Sequence, residues 1–118
     1  MSKSFGIGID IVDVEQFKKI PFSLMPNFYR KIFSNSEIKY CLKFKNPYEH
    51  FAGKFAIKEA VKKAISDKIS ILDIETYYSK SKPMVKLKGK LARKYVFYVS
   101  VSHEKKLAVG VVISESNQ

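Results

Sequence analysis

The chain opens on a two-residue alternation, F-G-I-G-I-D-I-V over residues 5–12, with Phe5, Ile7, Ile9 and Ile11 on one parity and Gly6, Gly8, Asp10 and Val12 on the other. That period predicts a β-strand. The glycines clear the second face of side chains beside Asp10, so another backbone or a ligand can come close to its carboxylate. Residues 14–33 carry two short helical segments, broken at Ile20-Pro21 and Met25-Pro26, the second running on to Phe33. Ser34-Asn35-Ser36-Glu37 then has capping-box spacing and predicts a helix to about Phe44.

Asn46-Pro47 introduces the longest helix, expected over residues 48–66. At about 100° per residue its apolar positions, Phe51, Phe55, Ile57, Val61 and Ile65 among them, cover most of the circumference, which predicts burial on several sides. Glu59 falls between Phe55 and Ala52 on this surface, with Lys62 and Lys63 one turn on. A carboxylate there is costly unless a cation or metal compensates it. From Ile69 the pattern turns strand-like, over residues 69–78, 84–87 after Lys82-Pro83, 95–103 and 107–113. The last two should form an antiparallel hairpin across Glu104-Lys105-Lys106, and the polar tail from Ser114 to Gln118 is expected to fray. No repeat or linker interrupts the 118 residues. The expectation is a single domain, residues 1–118, of α+β class, with an N-terminal strand and helices, one of them long, packed on a mostly antiparallel sheet.

Charge adds a preference for anionic partners. With 22 Lys+Arg against 11 Asp+Glu the net charge is +11, which attracts nucleic acid, an anionic membrane, an acidic protein or a phosphorylated ligand without choosing among them. Seven Lys/Arg and no acid lie between Lys80 and Lys94, a run read mainly as a solvated surface ribbon. The 46% hydrophobic content suffices for one small core and leaves room for self-association. Cys41 is the single cysteine and His50 and His103 lie far apart, so neither a disulfide nor a zinc site is expected and a reducing, cytoplasmic setting is. No leader pattern or bilayer-spanning apolar run is visible.

Asp10 and Glu59 are the two carboxylates placed on regular elements in apolar surroundings. With phosphate oxygens and water they can complete the shell that Mg²⁺ demands. Glu59 with Lys63 is equally an ordinary i,i+4 helix ion pair, and the spacing leaves both readings open. Ser100, Ser102 and His103 do not form a hydrolase set, because alternation puts His103 on the face opposite both serines and no Gly-flanked nucleophile is present. His50 reads as structural or exposed. The glycine-rich mononucleotide cradles are missing.

Taken together, Gly6-Ile7-Gly8-Ile9-Asp10-Ile11, Phe51-Ala52-Gly53-Lys54-Phe55-Ala56-Ile57-Lys58-Glu59-Ala60 with Lys63-Ala64, Lys82-Pro83, and Val99-Ser100-Val101-Ser102-His103 resemble the holo-[acyl-carrier-protein] synthases, the short type of 4′-phosphopantetheinyl transferase. The match is collinear over nearly the whole chain. The resemblance implies the 4′-phosphopantetheinyl transferase fold. It also implies transfer of phosphopantetheine from coenzyme A to a serine of apo acyl carrier protein, with release of adenosine 3′,5′-bisphosphate, in fatty acid biosynthesis. Asp10 and Glu59 would hold Mg²⁺ at the pyrophosphate, and Lys63 would add positive charge there. The proton of the attacking serine would pass to Glu59 or to a water held at the ion. Lys54, Lys63, Pro83 and His103 match positions along the coenzyme A site.

The short type further implies a homotrimer with active sites between subunits, and a first helix that docks an acidic helix of the carrier protein. Two departures matter. Many members carry an arginine six residues after the first metal ligand; here it is Gln16, leaving Lys18 and Lys19 to supply charge without the arginine fork. Longer relatives place an acid where this chain has Val12, so water should take that coordination position. A basic RNA-binding module is the competing class, but it lacks the RNP aromatic pattern and a G-x-x-G loop and gives no reason for Asp10 and Glu59 in apolar settings. Intact Asp10, Glu59 and Lys63 argue against a non-catalytic trimer. Neither nucleic acid nor membrane is expected as a partner.

Overall fold

Alternation carries the first strand further than expected. In a computed structural model, which describes residues 2–117, β1 spans Lys3–Asp13 and is followed by α1 (Glu15–Lys18), α2 (Pro26–Arg30), α3 (Asn35–Leu42) and α4 (Pro47–Ala64). Four strands complete the chain: β2 (Ile74–Ser79), β3 (Lys82–Leu87), β4 (Tyr95–His103) and β5 (Leu107–Asn117). All pairings are antiparallel, in two separate sheets of order β1-β5-β4 and β2-β3 rather than the one sheet expected.

Several boundaries differ for identifiable reasons. The tail does not fray through Asn117, because β5 runs on beside β1, with Lys3 opposite Asn117 and Ser4 opposite Ser116; Gln118 lies outside the described residues. The strand expected from Ile69 starts at Ile74, because Ile71–Asp73 forms a 3-10 turn. The second short helix ends at Arg30, and the chain bends through Ile32 and Phe33, whose N–H groups both bond to the Tyr29 carbonyl. The capping box is present as read: the Glu37 N–H bonds to Ser34 Oγ and the Ser34 N–H to the Glu37 carboxylate.

α4 forms the spine of the core, as its nearly all-round apolar surface requires. Its first half packs on an aromatic cluster of Phe17, Tyr29, Phe33 and Phe51, in which the Tyr29 and Phe51 rings lie 4.6 Å apart. Its second half places Ile57, Val61 and Ile65 against Ile74, Leu87 and Val112. The glycines of β1 admit α4 itself: a Cβ on Gly8 would lie 2.9 Å from the Ala60 carbonyl carbon and 3.0 Å from the Ala64 nitrogen. The apolar parity of β1 therefore points away from the core, and Phe5, Ile7, Ile9 and Ile11 are exposed together with Tyr98 and Ile113 on the outer face of the three-stranded sheet.

A buried ion pair locks α3, α4 and β2 together. Lys58 and Glu37 side chains, both fully buried, meet at 2.7 Å. Glu37 also accepts from the Thr76 N–H and hydroxyl, while Lys58 donates to the Ile32 and Ile71 carbonyls. Charges this deep are tolerated only because each is paired and further hydrogen-bonded. Burial pushes the Lys58 ammonium below its ordinary value and Glu37 opposes the shift.

Candidate active site

The seam between β1 and α4 brings the two sequence motifs together. Because α4 rests on Gly8, the side chain of Asp10, next on the same face, lies beside the helix. Lys63 reaches across, its Nζ 3.0 Å from Asp10 Oδ1 and 3.0 Å from the Ile9 carbonyl. Glu59 stands one turn before Lys63, half-buried, with Lys62 Nζ at 3.8 Å. Lys63 thus pairs with Asp10, 53 residues away, and not with its i,i+4 neighbour Glu59.

This donor set suits a hard cation. The Asp10 carboxylate, its side chain 18% exposed, already takes a cationic group, the Lys63 ammonium. Among the described residues Glu59 meets a cation only at its Oε2, where Lys62 Nζ lies 3.8 Å away. No cluster of three or more His, Cys, Asp or Glu occurs among the described residues, so an ion here would draw two protein carboxylates and take its remaining oxygens from phosphate and water. Mg²⁺ accepts that mixture.

The other candidate residues fall into four places. His103 closes β4 against the start of α4, its Nδ1 3.3 Å from Glu49 Oε1. Pro83 lines a groove of about 630 Å³ between β3 and β4, with Lys82, Met84, Val99 and Val101. Lys54 turns the other way, and its buried ammonium bonds the Thr76 hydroxyl at 3.0 Å and lies 4.8 Å over the Tyr40 ring. Burial lowers its pKa, opposed first by Cys41 and then by Glu37. Lys39, Lys43 and Tyr78 share that pocket with it. Gln16, Lys18 and Lys19 are exposed on or just after α1. Glu49 and the Tyr40–Tyr78 pair, whose rings stack 5.3 Å apart, were not legible as site neighbours. The glutamate-histidine pair at residues 49 and 50, at the mouth of the longest helix, was the available signal. The seven lysines and arginines from Lys80 to Lys94 are all exposed, as a solvated ribbon should be, while Leu87 between them is buried.

Comparison with known proteins extends these observations over the chain. Residues 6–112 match the family model of the 4′-phosphopantetheinyl transferase superfamily. A holo-[acyl-carrier-protein] synthase of Thermodesulfovibrio yellowstonii is 40% identical over 111 residues, covering 92% of this chain and 96% of its own. The crystal structure of a holo-(acyl-carrier-protein) synthase from Bacillus anthracis in complex with CoA (3′,5′-ADP) superposes with a TM-score of 0.80 at 31% identity, covering 95% of this chain and 96% of that one. The Helicobacter pylori enzyme in complex with coenzyme A gives a TM-score of 0.76 at 33% identity, covering 92% and 98%.

Proposed function

The chain belongs to the 4′-phosphopantetheinyl transferase superfamily and is a phosphopantetheinyl transferase of the holo-[acyl-carrier-protein] synthase type, and we propose that it moves 4′-phosphopantetheine from coenzyme A to a serine of apo acyl carrier protein in a Mg²⁺-dependent reaction that releases adenosine 3′,5′-bisphosphate. The observation that carries this reading is the 3.0 Å contact of Lys63 with Asp10, which gathers the β1 and α4 motifs into one charged seam. Asp10 and Glu59 would hold the metal. An ion held by them would supply positive charge to the attacked phosphoryl group and to the departing bisphosphate. Lys63 supplies fixed positive charge beside the same phosphates. As the serine Oγ–P bond forms and the bond to the bisphosphate breaks, the serine proton needs an acceptor, and Glu59 is this chain's own candidate, being half-buried and met only by Lys62 at 3.8 Å among the described residues.

Coenzyme A would lie along the Pro83 groove toward His103, and Lys54 would add positive charge from the neighbouring Tyr40 pocket. Gln16, Lys18 and Lys19 would receive the acidic carrier protein, in keeping with the +11 net charge. The outer sheet face, where Ile7 is 68% and Ile11 62% exposed, is apolar enough to be covered by further copies of this chain; a homotrimer with active sites between subunits fits it. A cytoplasmic role in fatty acid biosynthesis accords with the free, buried Cys41 and with the substrates. The test is chromatographic: coenzyme A and apo carrier protein incubated with the enzyme should yield adenosine 3′,5′-bisphosphate equimolar with modified carrier protein when Mg²⁺ is present, and none with EDTA. Equal product under both conditions would overturn the metal-dependent reading.

A further inference from the structure

Away from the Asp10–Lys63 seam, a set of titratable side chains is organised around His103. Its Nδ1 lies 3.3 Å from Glu49 Oε1, and Asn46 Nδ2 donates to Glu49 Oε2 at 2.7 Å, so the carboxylate is held from behind. Gly53 faces the ring: a Cβ there would sit 3.6 Å from His103 Cδ2, an ordinary van der Waals contact. His50 meets His103 edge-on at 4.8 Å between centroids and is itself stacked on Phe44 at 3.6 Å. Glu49, His50 and, one turn further, Lys54 are the titratable groups that α4 contributes here, and Tyr40 of α3 borders His50. Burial first, then His103, pushes the His50 pKa down against the opposing pull of Glu49. The His103 side chain is 27% exposed, and its Nε2 has no hydrogen-bond partner among the described residues.

A histidine whose one nitrogen meets a carboxylate has its proton fixed on that nitrogen and its other nitrogen offered outward. We propose that Glu49 is a positioning residue for coenzyme A, holding a proton on Nδ1 of His103 and so fixing the ring with Nε2 toward the substrate. The inference rests on the reading of His103 as a coenzyme A contact. The ligand group that fits is a phosphate oxygen. With the Glu49 carboxylate on one side and a phosphate on the other, the ring carries protons on both nitrogens and donates to both anions.

Two measurements test this separately. Long-range proton–nitrogen NMR of the ligand-free enzyme reads the His103 ring directly. Nδ1 should be protonated in the wild type, and in Glu49→Ala the proton should pass to Nε2, the tautomer a free imidazole prefers. In steady-state kinetics Glu49→Ala should raise the coenzyme A KM about tenfold, leave kcat and the carrier-protein KM within about twofold, and add nothing in a His103→Ala background. Glu49→Gln, which keeps the length and an acceptor oxygen without the charge, should fall between, and it carries the test should the alanine variant not fold. A wild-type ring protonated on Nε2 alone overturns the proposal. So does an unchanged KM in Glu49→Ala where His103→Ala raises it, or additive effects of the two substitutions. An unchanged coenzyme A KM in His103→Ala overturns the site reading itself and the proposal with it, and the NMR result then shows which of the two failed first.

Discussion

Replacing Gly8 with alanine tests the link between backbone packing and the active site. A Cβ at this position would fall against the Ala60 carbonyl, 2.9 Å from its carbon, and 3.0 Å from the Ala64 nitrogen. Both obstacles are helix backbone, so no side-chain rotation relieves them. Restoring ordinary contact with those two atoms needs about 0.5 Å, and clearing the carbonyl oxygen brings the shift of α4 to roughly 1 Å. Overpacking of this kind costs about 1–3 kcal/mol, which leaves a domain of ordinary stability folded. The chemical consequence is larger, because Asp10 sits on β1 while Lys63 and Glu59 ride on α4, and their 3.0 Å contact across the seam opens with the helix. A displacement of about 1 Å in a catalytic constellation can cost about 100-fold in rate. Urea denaturation followed by circular dichroism measures the first effect, and phosphopantetheine transfer at a temperature where the variant is fully folded measures the second. Gly89→Ala provides the control: Gly89 has φ +83° and no atom within 4 Å of an added Cβ, so it should lower stability without touching the seam. A Gly8→Ala enzyme with wild-type stability and turnover would refute the claim that α4 lies directly on the β1 backbone.

Three further outcomes are expected. Glu75 accepts from Ser36 and Ser34 and pairs with Lys88 at 3.4 Å; burial alone would raise its pKa, but these partners together hold it below 4.5. Its contribution to stability is therefore complete above that value and lost as pH falls through the depressed one, so an acid titration of Tm should be steeper for the wild type than for Glu75→Gln; equal slopes would contradict this. Reversing Lys18 and Lys19 to Glu together should raise the carrier-protein KM about tenfold and leave the coenzyme A KM nearly unchanged, and equal effects on both would defeat the docking assignment. Ile9→Lys, on the exposed face of β1, should leave the protomer folded but dissociate the assembly in light scattering, with activity lost alongside; a monomeric wild type would end the trimer proposal.

Much of this molecule is legible in its amino-acid order because local chemistry decides it. The Ser34–Glu37 box, Pro47 at the head of α4 and the two-residue period of β4 each act within a few residues. What the order conceals depends on partners far along the chain. The glycines of β1 announce a close approach, but only the tertiary fold reveals that α4 makes it, leaving the strand's isoleucines outward. Glu37 is legible only as a capping-box residue and Lys58 only as part of the α4 motif; their burial as a pair follows from the convergence of α3, α4 and β2. The frayed tail failed as an expectation because Ser114 and Ser116, polar by composition, are buried beside β1, where Ser114 donates to the Ala64 carbonyl. At the site, the strand and helix motifs that carry Asp10 and Lys63 meet on one seam, whereas the inward course of Lys54 depends on Thr76 and Tyr40, which no spacing connects to it.

The central claim is that Asp10 and Glu59 form the metal-dependent transfer site, and intact-mass spectrometry of an apo acyl carrier protein tests it most directly. Incubated with coenzyme A, Mg²⁺ and the wild-type enzyme, the carrier protein should gain one phosphopantetheine. With Asp10→Ala or Glu59→Ala, each shown to be folded, it should gain none. Near-normal modification by either variant would contradict the account.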